Sequence, residues 1–175
     1  FAEEVFGGSV PKNFFPAVEK GLREACVHGP LAGYPVVNLK AVLYDGSYHP
    51  VDSSEIAFKT AANLAYKAAM PEASPVLLEP VCELKVTVPD QYMGDILGDL
   101  NKRRGRVMGM NPTGDGETVL EAEVPMAEMM SYAIDLRSMT QSRGTFTFNF
   151  VRYEDCPAAA QEKAIAAAKA LAEAE

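Results

Sequence analysis

The chain reads as an α+β protein of two small α/β-sandwich domains, and three observations carry that reading. Cys82, Leu84, Val86 and Val88 alternate with Glu83, Lys85 and Thr87, the two-residue period of a half-buried strand. Met93, Ile96, Leu97 and Leu100 follow at helical spacing. Pro71 and Pro75 lie in a segment, 70–75, through which no helix continues. The break separates 1–74 from 75–155 and leaves 156–175 as a tail.

The first element is a helix with Pro16 in its opening turn and Val18, Leu22 and Cys26 on one stripe. His28-Gly29-Pro30 ends it, placing His28 near the negative end of the helix dipole. Val36, Val37, Leu39, Ala41, Val42 and Leu43 predict a strand over 36–44. Asp45-Gly46 predicts a tight turn, because glycine accepts positive φ. Asp52 with Glu55 three residues on predicts a capping box, starting a helix from about 53 to 70. Ala57, Ala61, Leu64, Ala65 and Ala68 give that helix a small-residue face suited to packing on a sheet. Ser47, Tyr48, His49, Pro50 and Val51 are thereby held between two rigid elements. With at most one more short strand near Val5, the sheet is too thin for two helices, so the first unit reads as incomplete at its start.

The second unit reads as complete. After the 82–88 strand comes a helix from about Asp90 that stops at Gly105. Strands at 107–110 and 119–124 flank Asn-Pro-Thr-Gly-Asp-Gly, a hairpin signal. A helix over about 126–139 precedes a last strand in which Phe146, Phe148 and Phe150 alternate. The order βαββαβ is that of a ferredoxin-like domain. The Ala-rich tail favours helix by propensity, as a helical or partly frayed extension.

Composition bounds function. The 175 residues are 48% hydrophobic with a net charge of −8, which argues against wholesale electrostatic binding of nucleic acid. Basic residues concentrate at Lys102, Arg103, Arg104 and Arg106, on a helix end that favours cations in any case. No apolar run reaches membrane-spanning length. Cys26, Cys82 and Cys156 are far apart, lack metal-ligand spacing, and read as thiols of a reducing compartment. There is no Gly-x-x-x-x-Gly-Lys-Ser/Thr loop and no Gly-x-Ser-x-Gly elbow. A Cys26 nucleophile paired with His28 or His49 would form a Cys–His site, but Cys26 falls on the apolar stripe and reads as core. No catalytic residue and no metal ligands are expected in this chain.

Five segments of the first half are Gly7-Gly8-Ser9-Val10-Pro11-Lys12, Pro16-Ala17-Val18-Glu19-Lys20-Gly21, Ala32-Gly33-Tyr34-Pro35-Val36-Val37, Tyr44-Asp45-Gly46-Ser47-Tyr48-His49 and Val51-Asp52-Ser53-Ser54-Glu55. In order and spacing they resemble the fourth domain of bacterial translation elongation factor G. Glu79-Pro80, Gly94-Asp95, Arg103-Arg104-Gly105-Arg106, the run Asp135 to Gln141, Arg143-Gly144 and Thr145-Phe146-Thr147 resemble its fifth domain. Ser142 stands where the family usually has glycine, and Pro50 occupies a variable position.

The resemblance implies a ribosomal-protein-S5-domain-2-like unit, incomplete at its start, followed by the ferredoxin-like domain. It implies a translational GTPase whose nucleotide domain, with GTP and Mg2+, lies N-terminal to this chain, so that this part needs no cofactor and is no enzyme alone. It implies a cytoplasmic, monomeric protein that binds the ribosome, through rRNA and ribosomal proteins, and promotes tRNA–mRNA translocation. The loop Asp45, Gly46, Ser47, Tyr48, His49, Pro50, Val51 and Asp52 would engage tRNA–mRNA in the decoding region. Lys102, Arg103, Arg104 and Arg106 would approach rRNA in the factor-binding region. A paralogous ribosomal protection or recycling factor, and a free-standing RNA-binding module, are the competing readings.

Overall fold

The computed structural model describes residues 1–174, which divide into two compact units: Phe1–Val76 together with the segment from Pro157 onward, and Leu77–Cys156.

In the first unit, β1 (Ala2–Glu3) pairs in parallel with β2 (Val42–Leu43), Ala2 opposite Val42 and Glu3 opposite Leu43. The strand expected over 36–44 is therefore two residues long. Asn38 turns the chain at φ 57, and Val37 and Leu39 stay exposed, so the apolar run before it is irregular. It folds back on the end of the first helix instead: the Val36 amide donates to the Cys26 carbonyl at 2.7 Å.

Helix α1 (Phe15–Ala25) opens with Pro16 as expected. Helix α2 (Glu55–Ala69) packs against it. Gly21 lets the two backbones meet, since a Cβ there would lie 2.6 Å from the Lys59 carbonyl oxygen. That contact selects which face of α2 is covered. Ala62 and Tyr66 are buried, with Met70 just beyond the helix end, whereas Ala57, Ala61, Leu64, Ala65 and Ala68 are all exposed. The expected small-residue face is thus not the packing face, because the partner is a helix meeting the other stripe, not a sheet. Ala25, Tyr66 and Met70 form the buried cluster, and Cys26 is half-buried against it. The tail is helical along its described length, α5 (Ala158–Ala174), as its alanine content favours.

The second unit is a four-stranded antiparallel sheet with two helices. Its elements are β3 (Leu78–Pro89), α3 (Met93–Lys102), β4 (Arg106–Pro112), β5 (Glu117–Pro125), α4 (Tyr132–Thr140) and β6 (Thr145–Asp155), and the strand order is β4-β5-β3-β6. This is the ferredoxin-like order. Cys82, Leu84, Val86 and Val88 are fully buried with Ile96, Leu100, Leu120, Ala122, Val124, Tyr132 and Leu136, so one sheet face supplies a continuous core under both helices. The helix expected over 126–139 is a 3-10 turn at Met126–Met129 followed by α4. At the end of α3 it is Arg104, at φ 59, that takes the left-handed position. Gly105 is required for close approach, since a Cβ would lie 2.9 Å from the Leu100 carbonyl oxygen. Phe146 packs edge-on to Tyr132, whereas Phe148 and Phe150, further along the edge strand, are exposed.

Candidate functional site

The 45–52 loop leaves β2 with Tyr44 exposed, and the tight turn expected at Asp45-Gly46 is not formed there: the chain runs without a turn over 44–49 and turns at Pro50, Val51 and Asp52. Asp45 Oδ1 accepts from the Gly46 amide at 2.8 Å. Glycine is needed at 46 for proximity and not for positive φ: a Cβ would lie 2.6 Å from Cγ2 of Val10, which is only 2% exposed. Val10 thus packs directly against the loop backbone at Gly46. Tyr48 leans on Phe14, ring centroids 5.9 Å apart, and Phe14 stacks on Phe58 of α2 at 4.6 Å. One face of Tyr48 is committed to this ladder, so it anchors the loop rather than standing free for stacking.

Beyond Tyr48 the chain closes on itself. The Ser53 amide donates to the His49 carbonyl at 3.0 Å, and Ser53 Oγ accepts from the His49 amide at 2.8 Å. Nδ1 of His49 accepts from the Val51 and Asp52 amides, each at 3.3 Å, and Asp52 Oδ2 stands 3.2 Å from the same nitrogen. Asp52 is therefore a loop partner of His49, and the expected Asp52–Glu55 capping box is not formed. Ser54 caps α2, its Oγ accepting from the Ala57 amide at 3.1 Å. The acceptor three residues before the capped amide fits Ser54 better, because Asp52 is drawn back into the turn. His49, Pro50, Val51 and Asp52 form the exposed end of this unit's loop.

Serine is a favoured N-cap residue, and Ser54 three residues before Ala57 is the signal that the Asp52–Glu55 spacing masked. Val10 and Phe14 carry no local signal. They are distant in sequence and meet the loop only through packing.

The basic residues of the second unit differ in burial and in partners. Arg103 is 9% exposed. Its Nε donates to Asp99 at 2.7 Å, its other nitrogens donate to the Glu128 carbonyl and Asp135, and its guanidinium lies 5.1 Å from the centre of the Tyr132 ring. Burial alone would lower its pKa, but the hydrogen bonds to Asp99 and Asp135 outweigh that and raise it. Burial also pushes the Tyr132 hydroxyl well above the usual phenol range. Arg103 is an internal tie between α3 and α4, not a surface contact, which corrects the expectation for this residue. Arg104 donates through two nitrogens to Glu79, at 2.7 and 2.8 Å, and through Nε to Glu128 at 3.2 Å. Those bonds raise its pKa far above the ordinary arginine range. Arg106 pairs with Glu123 but keeps 64% of its side chain exposed, and Lys102 is exposed.

Among the described residues no group of three or more His, Cys, Asp or Glu is placed to hold a metal ion, and no helix is long and apolar enough to cross a membrane. The site can hydrogen-bond and stack. It offers no nucleophile paired with a base.

Two family models match. The model of elongation factor G, domain IV, covers residues 1–74, and the model of the elongation factor G C-terminus covers residues 76–164. The chain is 53% identical over 165 residues to elongation factor G of Aquifex pyrophilus, spanning 94% of this chain and 24% of that factor. A crystal structure of a Thermus thermophilus protein superposes with a TM-score of 0.80 at 42% identity, over 97% of this chain and 26% of the other. The chain spans about a quarter of the length of the relatives it matches. Two adjoining domain matches and more than half of the 165 aligned positions shared with a factor of that name leave one conclusion: the chain belongs to the elongation factor G family.

Proposed function

We propose that this chain is the part of a translational GTPase that reaches the decoding region of the ribosome and promotes movement of tRNA and mRNA there, with the 45–52 loop as the contacting tip. The observation that carries the reading is the loop's construction. Val10, Phe14 and Ser53 hold it from beneath, and His49, Pro50 and Val51 stand outermost. A tip that must follow any codon has to avoid base-specific readout. An imidazole and small apolar groups meet that need better than a forked guanidinium would. Lys102 and Arg106 are the remaining candidates for rRNA contact in the factor-binding region, since Arg103 is buried and Arg104 is held by two carboxylates. GTP and Mg2+ belong to the longer protein's nucleotide domain. That protein acts as a cytoplasmic monomer whose partner is the ribosome.

The test is kinetic. In the full-length factor, His49→Ala slows translocation roughly tenfold or more, the loss of one well-placed hydrogen bond, while ribosome-stimulated GTP hydrolysis stays near normal. A normal translocation rate, or a GTPase defect that tracks the translocation defect, contradicts the tip reading.

A further inference from the structure

We propose that the loop fixes His49 as the tautomer protonated on Nε2, so that the tip presents one outward N–H donor to an uncharged oxygen of RNA, a ribose hydroxyl or a base carbonyl. The inference deepens the reading of the 45–52 loop as an RNA-contacting tip, and the assignment of its acceptor rests on that reading.

The amides of Val51 and Asp52 both point at Nδ1 of His49 from 3.3 Å. Backbone amides cannot give up their hydrogens, so Nδ1 must supply a lone pair. A hydrogen on Nδ1 would bring three donors together around one point. In a neutral imidazole one nitrogen accepts and the other donates, which leaves the hydrogen on Nε2. Asp52 Oδ2, 3.2 Å from Nδ1, pulls the other way. Its side chain is 81% exposed, however, and an attraction between solvated groups is weak and screened. Two directed amide bonds outweigh it. The pose is fixed from the backbone as well, since the His49 amide is bound by Ser53 Oγ at 2.8 Å and its carbonyl by the Ser53 amide at 3.0 Å. Ser53 is thus a positioning residue for the ring.

Charge selects the acceptor. Residues 41–58 contain no Lys or Arg, whereas Asp45, Asp52 and Glu55 are all there. A phosphate approaching this tip meets carboxylates while the loop itself supplies no cation, the flanking lysines being Lys40 before β2 and Lys59 on α2, the latter paired with Glu24, and phosphate binding depends on such cations. An uncharged oxygen meets no such penalty.

The test has a spectroscopic and a functional arm. Long-range 1H–15N correlation NMR of the chain in alkaline buffer, where imidazole is neutral, reads the tautomer of each ring directly. His28, exposed on its own turn, is the internal reference. The proposal requires that His49 show the Nε2–H signature with wider separation of its two nitrogens than His28, and that Ser53→Ala shift it toward His28. An Nδ1–H signature for His49, or the same averaged pattern as His28, overturns it whatever the loop does on the ribosome. In the full-length factor, His49→Gln keeps a donor near the Nε2 position and should translocate within about threefold of the parent, whereas His49→Ala and His49→Asn lose roughly tenfold or more, one hydrogen bond's worth. If Gln is as slow as Ala, the donor assignment fails while the tip reading stands. If Ala is normal, the tip reading itself fails. With 2′-deoxy sugars in the codon, disappearance of the Ala penalty assigns the acceptor as a ribose hydroxyl, and its persistence assigns a base carbonyl.

Discussion

Ser142 sits at φ 65 directly after Gln141 at φ 51, two consecutive left-handed residues between α4 and β6. Glycine is the residue such a backbone favours, and the turn forms without it because its surroundings insist on the geometry. Thr140 Oγ1 accepts from the Gly144 amide at 2.9 Å, and the Ser142 amide donates to the Arg137 carbonyl at 2.9 Å. Ser142→Gly should therefore stabilise the second unit by about 0.5–1 kcal/mol in a denaturant melt, since it relieves left-handed strain at a small entropic cost. An unchanged midpoint would mean that the serine carries no strain there. Gly46 makes the opposite case. Its Cβ space is filled by buried Val10, so Gly46→Ala should destabilise the first unit by roughly 1–3 kcal/mol through overpacking. Pairing it with Val10→Ala should recover part of that loss, a coupling that two independent defects would not show.

Elements were legible in proportion to how locally they are determined. The second unit's order could be read because each strand alternates and each helix carries its own stripe, and Cys82, Leu84, Val86 and Val88 are buried on the side that the alternation gives. The first unit was harder. The run from Val36 to Leu39 has strand composition, but Asn38 turns left-handed within it and only Val42 and Leu43 find a partner. The helix after the 45–52 loop was placed correctly and its packing face was not, because Gly21 on a different helix decides that face. Within the loop, the two signals expected beside His49 gave way to others: the turn falls at Pro50, Val51 and Asp52 instead of Asp45-Gly46, and the cap is Ser54 instead of Asp52. The packing of Val10 on Gly46 and of Phe14 on Tyr48 could not be read, since neither residue is near the loop in sequence. The same difference predicts dynamics. The first unit's buried cluster is Ala25, Tyr66 and Met70, whereas the second has a continuous core under two helices. Native-state hydrogen exchange should show lower protection in α1 and α2 than in β3 and β5. Equal protection would mean that the small cluster understates the first unit's cohesion.

At the scale of the whole molecule, the second unit carries a carboxylate that ties its stability to pH. Glu123 accepts from Arg152 at 2.8 Å on both oxygens and from Arg106 as well, and these bonds bring its pKa down to about 2. A depressed carboxylate pKa stabilises the folded state above the unfolded value and loses that contribution as pH falls through the folded one. The second unit, expressed as residues 77–156, should unfold cooperatively at neutral pH and lose about 1–2 kcal/mol between pH ~4.5 and ~2 through this group, the arginines' solvent exposure limiting the figure. Glu123→Gln should be less stable than the parent at neutral pH and converge with it at the acid end. Parallel curves would assign the acid sensitivity elsewhere. The central claim about the molecule is that the outermost end of the 45–52 loop meets RNA of the decoding region. The most direct measurement places a photoreactive amino acid at position 49 of the full-length factor and maps its cross-links on ribosomes carrying tRNA and mRNA. Cross-links to the tRNA–mRNA complex or the decoding-region rRNA are predicted. Their absence there, with cross-links elsewhere on the ribosome, would contradict the claim.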